Sequence, residues 1–174
     1  EFVVEQLDKG LIDFGIVFGQ VDQTRYNSLK MPTKDIWGVL MRRDSALAQK
    51  ETIAPEDLWD KPLIISHQRN QGKELSAWMK RDISKLNVVA TYNLLFNASL
   101  LVDEGLGYAI GFDKIINITE NSSLCFRPLQ PNIEIEMSLV WKKYQIFTKA
   151  AEQFIKKIEE MQAASPTDRG SAAL

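Results

Sequence analysis

The feature that most constrains this chain is an alternation of strand-like and helix-like apolar segments between residues 63 and 110. Short apolar runs over 63–65, 88–91 and 108–110 are separated by longer segments with helical spacing, over 73–82 and 94–102. Strands that alternate with helices predict βαβ units on a parallel sheet. The sequence therefore predicts an α/β fold.

The rest of the chain adds strands on either side of these units. The predicted additional elements are strands over 11–18, 36–41, 124–127 and 135–141, a short helix beginning at Pro55, a last helix over 147–161 and a disordered tail over 163–174. The near-continuous apolar run of 11–18 predicts a parallel strand covered on both faces. Pro32 is expected to precede the strand at 36–41.

Composition excludes several classes of protein. The 21 Lys and Arg against 23 Asp and Glu give a net charge of −2, without the basic excess of a surface that neutralises phosphates. One histidine and one cysteine exclude a zinc site with two imidazoles and an internal disulfide. No apolar run approaches the roughly 20 residues that cross a bilayer. We therefore predict a cytoplasmic protein with no metal site and no membrane contact.

Motifs of catalysis are missing. His67 would have to be the base of any serine or cysteine hydrolase, and no Gly-x-Ser-x-Gly elbow accompanies it. No phosphate-binding glycine loop occurs, and pairs of carboxylates such as Glu134 with Glu136 are typical of solvated surfaces. The sequence predicts a protein that is not an enzyme and that holds no cofactor.

Candidate ligand contacts follow from the topology, because open α/β sheets bind ligands at the carboxyl ends of their strands. The residues that follow predicted strands are Gly19 and Gln20, then Ser66, His67, Gln68 and Arg69, and then Tyr92 and Asn93.

The loop from Ser66 to Gly72 precedes a predicted helix that begins at Lys73. Free N–H groups at a helix N-terminus attract anions, and Arg69 and Lys73 add full positive charges. One hypothesis is that Ser66, Gln68, Arg69 and the amides of 71–73 bind a small anionic metabolite. The alternative is that Ser66 and Gln68 only cap the helix.

Five segments occur in the order and spacing of a known family. They are Val4-x-x-Leu7-x-x-Gly10-x-Ile12-Asp13, Trp37-Gly38-Val39-Leu40 with Ala46-Leu47-Ala48, Ile53-x-x-x-Asp57-Leu58-x-x-x-Pro62-Leu63-Ile64, Leu101-Val102-x-x-Gly105-Leu106-Gly107, and Leu139-Val140-Trp141-Lys142. Over residues 3–161 the chain resembles the effector-binding domain of bacterial LysR-type transcriptional regulators.

The resemblance implies a fold like that of type 2 periplasmic binding proteins, with two α/β lobes joined by two crossover strands and a ligand between them. Lobe one would comprise 1–34 with 136–162 and lobe two 35–135. Met137, near the second crossing, joins the candidate effector contacts. The family's first strand and first helix are not recognised here, so lobe one is expected to be incomplete.

The resemblance also implies partners. The family's regulators form homo-oligomers, dimers or tetramers, and contact DNA through an N-terminal helix-turn-helix domain that this sequence does not contain. The chain departs from the family at Gly111-Phe112, where Leu-Pro or Val-Pro is common. A transporter's solute-binding protein shares the architecture and stays open as an alternative. A dehydratase on the same lobes would need a carboxylate or His67 deep in the cleft.

Overall fold

The structure is a computed structural model that describes residues 2–67 and 75–164. The strands are β1 (Gly15–Phe18), β2 (Tyr26–Arg42), β3 (Leu63–Ser66), β4 (Val88–Tyr92), β5 (Tyr108–Phe112), β6 (Leu124–Pro128) and β7 (Glu134–Lys142). The α-helices are α1 (Phe2–Asp8), α2 (Leu95–Asp103) and α3 (Lys149–Ala164), and residues 75–79 are also helical. Short 3-10 helices span Ala46–Gln49, Pro55–Leu58 and Ile83–Lys85.

The chain divides into two compact units. Unit 1 consists of Glu1–Lys34 with Glu136–Leu174, and unit 2 consists of Asp35–Ile135. Strands β2 and β7 each contribute residues to both units.

The sheet of unit 2 has the order β6-β2-β5-β3-β4. Strand β3 lies parallel to β4 and to β5, whereas β2 lies antiparallel to β5 and β6. The parallel βαβ arrangement that the sequence predicts for residues 63–110 is therefore confirmed.

Both faces of this sheet are buried. Along β2, Trp37, Val39 and Met41 join one apolar cluster and Leu40 joins another, which is the two-residue period of a strand covered on both sides. The first cluster includes the helical residues Leu75, Trp78 and Met79. The second includes Leu95, Ala98 and Val102 of α2.

Unit 1 has a smaller core. Leu7, Tyr26 and Val140 form its buried apolar cluster, with five half-buried neighbours, and Leu139 and Ala151 are buried elsewhere in the unit. Asp8, at the end of α1, accepts hydrogen bonds from the Tyr26 hydroxyl at 2.6 Å and from Arg25 Nη2 at 2.5 Å. These bonds fix the end of α1 to the beginning of β2.

Strand β1 corrects one prediction. It spans four residues rather than eight and pairs antiparallel with β7, with Phe18 opposite Met137. Ile16 and Phe18 are 50% and 40% exposed, so this strand is not covered on both faces. The apolar run alone does not distinguish a covered strand from one with an exposed face, because hydrophobic residues also occur on surfaces.

Strand β2 begins ten residues earlier than predicted, and Pro32 lies inside it rather than before it. Two helical faces also differ from the prediction. Leu94 is 64% exposed and precedes α2, and α3 begins at Lys149 with Phe154 45% exposed. Helix α3 runs to Ala164, past the predicted start of the tail, and the tail's other residues lie outside the described ranges.

Candidate functional site

Three predicted site residues come together where the parallel strands of unit 2 end, an edge that we call the carboxyl edge. Ser66 is the last residue of β3 and lies opposite Tyr92, the last residue of β4. The His67 N–H donates to the Tyr92 carbonyl at 2.9 Å, and Asn93 follows Tyr92. The backbones of Ser66, His67 and Asn93 thus lie close together at this edge.

Tyr92 supports this edge from inside. Its hydroxyl donates to the Ile110 carbonyl on β5 at 2.7 Å, although β3 lies between β4 and β5. Burial raises the pKa of Tyr92, so the phenol stays protonated as a donor.

Gly111 makes room for this contact. A Cβ at position 111 would lie 2.9 Å from the Tyr92 hydroxyl oxygen and 2.9 Å from Leu95 Cδ1. This close approach gives a physical reason for glycine at position 111.

A charged group lies at the same edge, where β5 ends and β2 enters unit 2. Asp113 Oδ1 accepts the Ile36 N–H at 2.9 Å, and the Asp113 N–H donates to the Ile36 carbonyl at 3.0 Å. Lys114 Nζ lies 2.9 Å from Asp113 Oδ2. Burial raises the pKa of Asp35, and the nearby Asp113 carboxylate raises it further.

Sequence reasoning missed Asp113 and Asp35. The predicted strand stopped at Ile110, but β5 continues to Phe112, which makes Asp113 the residue directly after the strand. The strand-end rule would have selected Asp113 if the strand had been given its true length.

Unit 1 brings together the other described candidates. Met137 lies opposite Phe18 on β1, and the Gly19 N–H donates to the Glu136 carbonyl at 3.1 Å. Gln20 follows Gly19 and is exposed. Lys30 Nζ contacts Glu136 Oε2 at 2.7 Å, and this hydrogen bond lowers the pKa of Glu136.

Four of the predicted contacts cannot be placed. Gln68, Arg69, Gly72 and Lys73 lie outside the described residues.

Two findings bear on other kinds of site. Within residues 2–67 and 75–164, no group of three or more His, Cys, Asp or Glu side chains is arranged to hold a metal ion. No helix in those same ranges is long and apolar enough to span a bilayer.

Comparisons with known proteins identify relatives. A family model described as the LysR substrate binding domain matches residues 1–163. An uncharacterized HTH-type transcriptional regulator, YfeR of Shigella flexneri, is 25% identical over 155 residues, which cover 87% of this chain and 49% of that protein. The chain thus spans about half the length of this curated relative.

Solved structures share the fold. The regulatory domain of Synechocystis PCC6803 CcmR in complex with 2-PG has a TM-score of 0.79 at 15% identity, covering 94% of this chain and 80% of that one. The effector binding domain of QuiR in complex with shikimate has a TM-score of 0.78 at 16% identity, covering 92% and 76%. At these identities the likeness establishes the fold alone, and it confirms the predicted α/β class.

Proposed function

This chain belongs to the LysR substrate-binding domain family, and from that membership we propose that it is the effector-sensing part of a transcriptional regulator. In this proposal it binds a small anionic metabolite, catalyses no reaction and acts in the cytoplasm. A separate helix-turn-helix domain of the whole protein contacts DNA.

The carboxyl edge carries this proposal. Ser66, His67 and Asn93 present donors and acceptors at the end of two adjacent parallel strands, where α/β sheets bind small ligands. In unit 1, Gly19 and Met137 are likewise neighbours across β1 and β7. That CcmR and QuiR domains of this fold were solved with 2-PG and with shikimate supports a small molecule as the ligand here.

The anionic character of the effector depends on residues that lie outside the described ranges. The described part of the carboxyl edge holds two carboxylates, Asp35 and Asp113, against one lysine, Lys114. Arg69 and Lys73 must therefore supply the positive charge in this proposal. Replacing the Arg69 side chain therefore tests whether the ligand is an anion.

Regulation follows from linkage. A ligand that contacts both units changes their preferred arrangement only to the extent that it binds one arrangement more tightly than another. Such regulation requires no catalysis. Because the ligand is released unchanged, the fraction of protein that is bound follows the ligand concentration.

Calorimetric titration of the chain tests the proposal. The probes are shikimate, benzoate and succinate, each compared with its uncharged amide. We expect at least one carboxylate to bind and its amide to bind more weakly. Asn93→Ala and Ser66→Ala are each expected to weaken binding about tenfold or more, since a hydrogen bond to a charged group contributes roughly 1.5–3 kcal/mol.

Asn87 offers a matched control. It directly precedes β4 and is exposed, whereas Asn93 directly follows the same strand. Asn87→Ala is expected to leave the affinity unchanged. Equal affinity for a carboxylate and its amide, or no effect of Arg69→Ala, would rule out the anionic ligand. Turnover of any probe would rule out a pure sensor.

We also propose that the chain forms homo-oligomers, dimers or tetramers, through α2. Its inward face is buried, yet Phe96 and Leu100, one turn apart on the outward face, are 62% and 56% exposed. Exposed apolar side chains on a helix whose opposite face is buried are typical of a surface that packs against a partner. Leu100→Lys is expected to reduce the mass measured by light scattering, while Leu106→Lys, outside α2, is not. A monomeric wild type would contradict this.

A further inference from the structure

Unit 2 contains a cavity that the proposed effector site does not use. It has a volume of about 510 Å³, within the range of small-molecule sites. Its lining consists of Leu40, Leu95, Phe112, Lys114, Ile116, Asn117, Ile118 and Phe126. Ser66, His67 and Asn93 are not among these residues, so the cavity is a separate feature of the same unit.

The cavity lies between the sheet and the segment that follows β5. Leu40 and Leu95 are 1% and 5% exposed and belong to the second apolar cluster. Ile116 and Ile118, from the segment after β5, pack against that cluster as half-buried side chains. The wall is therefore built from both regular structure and a connecting segment.

One aromatic wall residue is fixed by close packing. Phe126 on β6 lies across from Leu40 on β2, and its ring occupies the space where a Cβ at Gly38 would stand, 2.1 Å from Phe126 Cζ. The Phe126 ring is thereby held against the sheet beside the cavity. A preformed wall of this kind reduces the entropic cost of binding a ligand.

The lining chemistry favours an uncharged ligand. Six of the eight residues are apolar, and Lys114 and Asn117 are polar. The Lys114 ammonium lies 2.9 Å from the Asp113 carboxylate, so an opposite charge already balances it. The Asn117 amide can donate to a hydrogen-bond acceptor on a ligand.

We propose that this cavity binds an uncharged, mostly apolar small molecule with one hydrogen-bond acceptor, such as a small aromatic ketone. The site goes beyond the proposed function, because it lies within unit 2 and, although it shares Lys114 with the carboxyl edge, none of Ser66, His67 and Asn93 lines it. The chain would then have two small-molecule sites of opposite character, one for an anion and one for a neutral molecule.

Fluorine NMR of the chain tests this with two probes of the same shape, 4-fluoroacetophenone and 4-fluorobenzoate. We expect saturable line broadening of the ketone and at least about tenfold weaker binding of the carboxylate at this site. Absence of saturable ketone binding overturns the proposal. Binding of both probes with equal affinity, each lost on filling the cavity, overturns the choice of a neutral ligand.

Two adjacent isoleucines provide a matched pair of variants. Ile116 lines the cavity, whereas Ile115 does not and is 49% exposed. Ile116→Trp fills the cavity and is expected to weaken ketone binding about tenfold or more, while Ile115→Trp leaves it within about twofold. Equal ketone binding by both variants would contradict the site.

A second cavity-filling variant is the control for the case that the first variant does not fold. If thermal unfolding shows that Ile116→Trp does not fold, Ile118→Trp replaces it with the same expected loss. Asn93→Ala separates the two proposals, because it is expected to weaken carboxylate binding at the carboxyl edge and to leave ketone binding unchanged. Loss of ketone binding in Asn93→Ala would mean that the ketone occupies the effector site instead.

Discussion

The two units differ in how completely each covers its own apolar residues. Unit 2 buries apolar clusters on both faces of its sheet. Unit 1 buries fewer apolar side chains, namely Leu7, Tyr26, Leu139, Val140 and Ala151, and leaves Ile16 and Phe18 of β1 about half exposed. Because buried apolar area is the main favourable term in folding, we expect unit 2 to be the more stable of the two units.

The prediction with the largest expected effect concerns the replacement of one core leucine in each unit by alanine. Leu63 and Leu7 are both 0% exposed, but Leu63 lies in the larger cluster of unit 2. Leu63→Ala is expected to lower the free energy of unfolding of unit 2 by about 4 kcal/mol, and Leu7→Ala that of unit 1 by about 2 kcal/mol, because a small core relaxes around a deletion more easily.

Hydrogen exchange followed by mass spectrometry separates these effects, since peptides from β3 and from β1 report on different units. In the wild type, we expect β1 to exchange faster than β3. Equal protection of the two strands would remove the contrast between the units.

The same contrast explains which elements the sequence could predict. Residues 63–110 alternate strand and helix. Their core-facing apolar residues, such as Leu63, Ile64 and Val102, are buried between neighbouring elements, although Phe96 and Leu100 on the outward face of α2 stay exposed. The residues of β1 are equally apolar, but Ile16 and Phe18 lack cover within the described part of unit 1. The local sequence pattern indicates that a strand is apolar, but it does not indicate which residues elsewhere in the chain cover that strand.

The second test replaces one glycine in each unit by alanine, at a position where a neighbouring group lies close to the glycine Cα. A Cβ at Gly38 would lie 2.5 Å from the Arg127 carbonyl oxygen, which belongs to a paired strand and cannot move away. A Cβ at Gly15 would lie 2.2 Å from Val3 Cγ1, a side chain on the seven-residue helix α1.

We expect Gly38→Ala to destabilise unit 2 by about 3 kcal/mol and Gly15→Ala to destabilise unit 1 by about 1 kcal/mol, since overpacking costs more where neighbours are fixed. Urea unfolding of the two variants measures the difference. A larger effect of Gly15→Ala would mean that α1 is held as firmly as β6.

The candidate site was predictable to the extent that it follows strand ends. Ser66, His67 and Asn93 lie together because parallel strands end at one edge, a consequence of topology. The support from Tyr92 to the Ile110 carbonyl was not predictable, because it joins two strands that are not adjacent in the sheet. Such contacts depend on side-chain geometry that a strand pattern does not contain.

The prediction with the smallest expected effect concerns pH. One aspartate in unit 1 and one in unit 2 have pKa values shifted in opposite directions. In unit 1, the hydrogen bond from Tyr26, and then the one from Arg25, lowers the pKa of Asp8. In unit 2, burial and then repulsion by Asp113 raise the pKa of Asp35. A lowered folded-state pKa stabilises the protein above the unfolded value, near 3.9, and this contribution is lost as pH falls. A raised folded-state pKa has the opposite sign, so stability is lost as pH rises through it.

We therefore expect Asp8→Asn to be less stable than the wild type at pH 7, with the difference closing as the pH falls below about 4. Asp35→Asn is expected to be slightly more stable at pH 7, and this gain closes as the pH falls through the raised pKa of Asp35. Thermal unfolding between about pH 3 and 7 measures both differences. Hydrogen exchange at the two ends of that range assigns each to its unit. Both variants could instead lose stability relative to the wild type with the same pH dependence. That result would mean that the surroundings of Asp35 stabilise its carboxylate rather than destabilise it. The carboxyl edge of unit 2 would then be better suited to negative charge than the burial of Asp35 beside Asp113 implies.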